Sequence, residues 1–467
     1  MNLFFSKQFS LGFFVIIAAL YYLMPQSHVY LLLIAWIYEI VFSLQNVKLN
    51  APLLTFNVAV FTFLMTRLVI PLIYTNDYIT YSLENTISFD SRTYDFMYLS
   101  IFVAIMSVHI GYVLVSVPKV EYKSVIDYNN AQIRSIRQIS KKLCFVTILF
   151  AAIEVLEKVV FVWTHSYLEL YLAYTPSLPV VFYKLSTIYE LVFYLFLATM
   201  PSKKEAKPIL IQFFSLNLLS LLVGGRASFV LSFLFIIIYL YLRNDLSPND
   251  LWLSKKNQRR LLIAIPIVCI SMFLVMMIRG GSEGYGSDVV DLLFDFFFSQ
   301  GSSMQVLGLT YEGKKSMPVD QLYSLGPLIN VINDNFIFHI IGIGNHFKSQ
   351  TVEIALHGHS LGNYLTYTYQ PERFFRGGGL GSSYIAEVWA DFGYIGIIIW
   401  SLVYGVLLAK VRIWCRKNVW LTALSFMMMM SIIYAPRANA ISFVSNLVSP
   451  TYIFVALYIY LYSKKHA

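Results

Sequence analysis

Charge is scarce in this chain. Of its 467 residues only 13% are Asp, Glu, Lys or Arg, about half the share that a soluble protein carries. Cysteine is scarcer still. There are three, Cys144, Cys269 and Cys415, at spacings that form neither a disulfide framework nor a cysteine metal site. No internal repeat and no low-complexity tract interrupts the sequence. The first apolar run, near Leu11 to Leu23, has no small-residue cleavage site after it. It therefore reads as a retained helix rather than a removed signal peptide.

What fills the space left by charge is apolar. The chain is 58% hydrophobic, with a mean hydropathy of +0.65. Apolar runs of about 20 residues, the length that crosses a bilayer, recur from end to end. The expected class is an all-α, polytopic integral membrane protein. The net charge of +9 would suggest nucleic acid in a soluble chain. Here the basic residues flank apolar runs, so they read as membrane orientation and nucleic acid is set aside.

About twelve spans are expected, at 10–24, 28–45, 51–73, 97–117, 143–163, 178–200, 209–223, 227–242, 261–278, 391–410, 418–435 and 441–462. The seventh is short, as a tilted or re-entrant segment would be. Basic residues crowd alternate connections: Lys119, Lys123, Arg134, Arg137, Lys141 and Lys142; Lys203, Lys204 and Lys207; Arg243, Lys255, Lys256, Arg259 and Arg260; Lys410, Arg412, Arg416 and Lys417; and Lys464 and Lys465. Lys7 and Lys48 agree. The positive-inside rule then places both termini in the cytoplasm. Three regions result: residues 1–278 with nine spans, an outer loop over 279–390, and residues 391–467 with the last three spans. A loop of that length is more than a connection. Within it Val289 to Phe298 is amphipathic, with Asp291 and Asp295 on one face, and can lie flat at the membrane interface. Short helices forming a lid are expected there, including a second mixed region from Leu322 to His346.

Charges inside spans are costly and have a reason to be there. Glu39, Arg67, Glu154, Glu157, Lys158, Lys184 and Glu190 are of this kind. Glu154 and Lys158 are spaced to pair on one helix face; Arg67 sits in the outer half of its span. Three more arginines break the orientation pattern at the outer edge. Arg226 follows Gly224 and Gly225, Arg279 precedes Gly280 and Gly281, and Arg437 stands in Ala-Pro-Arg-Ala-Asn-Ala. Their guanidiniums match phosphate oxygens, and the glycines would let an anion approach backbone N–H groups. One shared anionic site is one reading; separate lipid-headgroup anchors is the other.

A third constellation closes the long loop. It runs His357-Gly358-His359-Ser360-Leu361-Gly362-Asn363-Tyr364-Leu365-Thr366-Tyr367, passes Arg373 and Arg376, and continues from Gly377 through Gly379, Gly381, Ser382, Ser383 and Tyr384 to Glu387 and Asp391. Tyrosine faces stack on sugar rings, and small residues permit close approach. A histidine beside an anionic leaving group can serve as general base. His-x-His also suggests zinc, but no third ligand has sensible spacing.

Gly-Leu-Gly-Ser-Ser-Tyr-Ile-Ala-Glu at 379–387, with Ala-Asp-Phe-Gly-Tyr-Ile-Gly at 390–396, resembles the Wzy-type O-antigen and oligosaccharide repeat-unit polymerases. His-Ser-Leu-Gly-Asn-Tyr-Leu-Thr-Tyr at 359–367, Gly-Gly-Arg-Ala-Ser at 224–228 and Arg-Ala-Asn-Ala-Ile-Ser-Phe-Val-Ser at 437–445 are similar to the same group. The resemblance implies a GT-C-like glycosyltransferase at the outer face of the bacterial inner membrane. It would move a growing glycan from undecaprenyl pyrophosphate onto the non-reducing sugar of a fresh lipid-linked repeat unit, with the stereochemistry inverted. No cofactor, no nucleotide sugar and no obligatory metal would take part. Membrane lipid and a separate chain-length regulator would be partners.

On that implication Arg226, Arg279, Arg437 and Arg67 hold the pyrophosphate. His359 is the first candidate base, with Glu387 and Asp391 as alternatives. Arg373, Arg376, Asn363, Tyr364, Tyr367, Gly379, Gly381, Ser382, Ser383 and Tyr384 would face the glycan acceptor. The rivals are an O-antigen ligase, which shares the donor, and a flippase for lipid-linked oligosaccharide. A transporter should show two similar halves with broken helices near the midplane, and no matching halves are seen.

Overall fold

The computed structural model describes residues 7–84, 88–116, 126–246, 251–254, 256–260, 263, 268, 288–333 and 347–466. Every regular element among them is helical. Eight of these helices are long and apolar enough to cross a membrane. Ten of the expected spans fall on single described helices; the twelfth, 441–462, is divided among Ser442–Ser445, Asn446–Val448 and Pro450–Lys465, and the ninth, at 261–278, lies outside the described residues apart from 263 and 268.

In chain order, α1 is Lys7–Leu23, α2 His28–Leu44 and α3 Val47–Ile73. Then come α4 (Asp77–Glu84), α5 (Ser91–Val115), α6 (Ala131–Thr164), α7 (Val180–Ala198), α8 (Lys203–Val223) and α9 (Arg226–Leu246). The long loop contributes α10 (Val289–Gln300), α11 (Ser303–Gly313), α12 (Gly326–Asn333), α13 (Val352–His357), α14 (Leu361–Tyr369) and α15 (Pro371–Phe375). The chain closes with α16 (Tyr384–Trp414), α17 (Val419–Tyr434) and α18 (Pro450–Lys465).

Three further boundaries differ from the expectation. The seventh span is not short: α8 begins at Lys203 and runs for 21 residues. Ser202 and Glu205 form a capping box there, which supplies partners to the first turn's N–H groups. The lysines that read as loop are its first turns. Helix α6 has 34 residues and carries Arg134, Arg137, Lys141 and Lys142 on its first turns. At 1.5 Å per residue it is about 50 Å long, well beyond a hydrocarbon core of about 30 Å. Helix α16 starts at Tyr384, before the expected 391, and breaks at Gly393, whose φ of 63° only glycine adopts readily.

The chain forms two compact units. The first comprises Met1–Pro118, Ser282–Ala409 and Ile432–Ser442. Its α5 and the part of α16 after Gly393 approach at backbone distance. A Cβ on Gly111 would collide with the Leu402 carbonyl, and one on Gly405 with that of Val108. Small residues at such crossings replace the hydrophobic drive that lipid removes. A buried cluster explains Glu39: His109 Nδ1 lies 2.5 Å from its Oε1, and the Asn57 amide donates to Oε2 at 3.3 Å. Helix α10, expected to turn its apolar face to the membrane interface, packs it on protein instead. Phe298 is fully buried with Ile70 and Ile79, under Phe294 and Phe297. Its polar face brings Asp291 and Asp295 to the Asn76 amide.

The second unit comprises Lys119–Gly281, Lys410–Ser431 and Phe443–Ala467. Lys158 Nζ donates to Glu154 Oε1 at 2.6 Å, as the spacing required. Glu157 accepts from the Ser177 N–H at 2.6 Å and the Tyr183 hydroxyl at 2.5 Å. Asp245 pairs with both Arg412 at 2.7 Å and Arg416 at 2.5 Å. Between α8 and α9 the chain turns on Gly224, which has a φ of 100° and closes α8. The Gly-Gly of this motif makes a tight helical hairpin, and Arg226 opens α9.

Candidate functional site

Two of the motifs are fastened together by one carboxylate. Glu387 is fully buried on the first turn of α16. Its Oε1 accepts from the Ser382 hydroxyl and the Asn439 amide, each at 2.6 Å. Its Oε2 accepts from the Ala440 N–H at 2.8 Å. The Ala440 carbonyl in turn accepts from the Tyr404 hydroxyl at 2.5 Å and the Trp400 indole at 3.3 Å. Gly381, with a φ of 81°, turns the chain into this arrangement. The segments 379–387 and 437–440 therefore form one rigid piece. A buried carboxylate is tolerated when donors surround it in this way.

Arg437 extends from the same piece. Its Nη1 donates to the Gln300 carbonyl at 2.8 Å and to the Ser302 hydroxyl at 3.2 Å, and its guanidinium lies 5.5 Å from the Phe63 ring centroid. Arg67 reaches the same turn. Its Nε donates to the Phe298 carbonyl at 3.2 Å, and its guanidinium lies 5.1 Å from the Phe298 ring. A π-helical turn at Phe61–Met65 precedes it. Such a turn holds one extra residue, which rotates the side chains after it, and is frequent at functional sites. Gly301 gives Arg67 its room, since a Cβ there would stand 2.8 Å from Arg67 Cγ. The two cations are close enough to feel each other's charge. Among the described residues no carboxylate pairs with either.

Part of this arrangement is helix capping, because the last carbonyls of α10 welcome a cation. Capping leaves donors over. A guanidinium has five N–H groups. Both Nη atoms of Arg67, and Nη2 and Nε of Arg437, make no hydrogen bond within the described protein. Of the two other arginines expected here, Arg226 belongs to the second unit and Arg279 lies outside the described residues.

His359 and Asp391 hold a strap of the long loop. The Leu322 N–H donates to His359 Nδ1 at 3.1 Å. Asp391 Oδ1 accepts from the Tyr323 N–H at 3.1 Å, and Oδ2 from the Ser324 N–H at 2.8 Å and hydroxyl at 2.5 Å. A neutral imidazole that accepts at Nδ1 carries its proton on Nε2, so His359 presents a donor to its free side. Burial holds its pKa below the usual 6.5, against an opposing pull from Asp320. Asp391 is half-buried, and its Oδ1 accepts only one bond.

The expected glycan surface divides. Tyr364 is buried and donates to the Ser316 carbonyl at 3.0 Å. Tyr384 is fully buried, 3.1 Å from the Ser401 hydroxyl. Ser382 and Ser383 are buried as well. These four shape the interior rather than the surface, because each faces the packed side of its loop or helix. Gly379, Gly381, Arg373 and Arg376 are exposed, and Asn363 and Tyr367 partly so. Tyr367 stands edge-on to Phe374 and Phe375. The sequence reading missed Gln300, Gly301, Ser302 and Asn439. The run Gly-Ser-Ser after an amphipathic helix was the available signal for the first three. Asn439 lay within the quoted motif without an assigned role.

Against known proteins, the family model for O-antigen polysaccharide polymerase Wzy matches residues 3–466. No curated protein and no solved structure matches the chain.

Proposed function

The chain belongs to the O-antigen polysaccharide polymerase Wzy family, and on that premise we propose that it joins repeat units by displacing a lipid pyrophosphate that Arg67 and Arg437 receive. Membership implies a lipid-linked oligosaccharide as substrate. The observation that carries the reading is the pair of neighbouring cations with unspent donors and no carboxylate beside them. Like charges held together in a low-dielectric site repel, and a pyrophosphate relieves that repulsion as it departs. Arg226 and Arg279 are proposed as further ligands from the sequence alone.

The growing glycan is attacked by a hydroxyl of the incoming unit. Asp391 is the base this geometry favours, because it is half-exposed and keeps a lone pair on Oδ1. His359 serves as a hydrogen-bond donor to the acceptor through Nε2. Glu387 is a positioning residue, with both oxygens occupied and no exposure. The exposed Gly379, Gly381, Arg376 and Tyr367 line the acceptor's approach. The GT-C-like character, the undecaprenyl carrier, the inner-membrane orientation with cytoplasmic termini, and a chain-length regulator as partner belong to this same reading.

The test is the surface polysaccharide of a deletion strain complemented at matched membrane levels. Wild type should restore a ladder of long chains, and Arg437→Ala single-unit product. Equal ladders would reduce Arg437 to a helix cap. Polymer retained on the carrier lipid in the deletion strain would point to a ligase instead.

A further inference from the structure

The second unit contains a groove that the polymerisation chemistry does not use. It has a volume of about 370 Å³ and is lined by Leu210, Ile211 and Phe214 of α8, Phe233 and Leu240 of α9, and Trp252, with Lys203 and Lys207 at one end. The α8 residues recur at helical spacing, so they form one stripe below the two lysines. From Lys203 to Phe214 the stripe is about 16 Å long at 1.5 Å per residue. Both lysines are exposed. Among the described residues neither pairs with a carboxylate. The nearest acid in sequence, Glu205, is taken by the Ser202 N–H at 3.0 Å and hydroxyl at 2.7 Å.

We propose that this groove binds an anionic phospholipid of the bilayer, with an acyl chain against the α8–α9 wall and the phosphate at Lys203 and Lys207. The wall offers no polar side chain, so a soluble anion would gain nothing from it. The two ammoniums select a negative headgroup over a zwitterionic one, since each lysine near a membrane surface favours anionic lipid by about 1 kcal/mol. The positive end of α8 adds to their field. On the orientation read from the loop charges, the site opens to the inner leaflet.

Trp252 lines the groove and reports on it. The full-length protein is reconstituted in phosphatidylcholine vesicles carrying brominated phosphatidylglycerol or brominated phosphatidylcholine, and the quenching lost in Trp252→Phe is assigned to that site. The expected result is half-maximal quenching at a mole fraction on the order of tenfold lower for the glycerol lipid. That preference should vanish in Lys203→Gln/Lys207→Gln, and shrink for wild type in about 0.5 M salt, where charges are screened. Equal quenching by the two lipids, or a preference that survives both the double substitution and salt, would overturn the proposal. Relief of quenching by a trace of undecaprenyl phosphate would also overturn it, in favour of a polyprenyl occupant.

Discussion

The Asn439 side-chain amide donates to Glu387 Oε1 at 2.6 Å. Through that contact the loop that carries Arg437 is fixed to the start of α16. The arginine's position thus depends on a buried carboxylate whose two oxygens both accept from protein donors. Replacing Glu387 with Gln turns one acceptor into a donor facing other donors. The expected cost is about 1–3 kcal/mol of stability, read as a lower melting temperature of the purified protein. Polymer length should fall with it, and Asn439→Ala should give a milder form of both effects.

Arg67 and Arg437 should behave as a unit. Each alanine substitution is expected to lower turnover by about 10²–10³-fold. The double variant should be less impaired than the product of the two, because residues sharing a site are not additive. Lysine should not restore either, since it lacks the planar fork. Turnover measured on lipid-linked repeat units for the four proteins checks this; strict multiplicativity would mean two separate sites.

His359 sets a pH dependence. Its folded pKa lies below the unfolded value near 6.5 because burial disfavours the charged ring. The unfolded chain therefore binds the proton more readily between the two values. The contribution is fully present above 6.5 and is lost as pH falls toward the folded pKa. Thermal melting of wild type against His359→Gln across this range should show a shallower pH slope in the variant.

Gly111 and Gly405 set the spacing of α5 and α16. Gly111→Leu should lower the melting temperature markedly, by about 1–3 kcal/mol of overpacking or more. Gly12 has nothing within 4 Å of where a Cβ would stand, and Gly12→Ala should be nearly neutral. The pair of melting curves is the check.

How much of this was legible in the sequence varies with the physics involved. Apolar length identifies spans, because the bilayer imposes it, and the i,i+4 rule identified Glu154 with Lys158. Span ends were less legible. Helix α6 continues past its apolar run, since charged residues form helix as well as apolar ones do once they reach water. The Gly-Gly before Arg226 forms a C-cap and hairpin turn, which uses the same backbone freedom that an anion cradle would. Tyr364 and Tyr384 read as sugar platforms, yet they point inward. Which face of a short loop helix is covered depends on tertiary packing, and no period reveals it over nine residues. Arg67 could be assigned to the arginine site from its charge within a span, but its meeting with Arg437 depends on a π-turn and a glycine in a distant segment.

The most direct test of the central claim is single-turnover polymerisation by the purified protein on a synthetic lipid-linked repeat unit, comparing wild type with Arg437→Ala. The account predicts that the variant, folded to the same melting temperature within a few degrees, loses about 10²–10³-fold in rate. A variant that turns over at the wild-type rate would contradict it and leave Arg437 as the cap of α10.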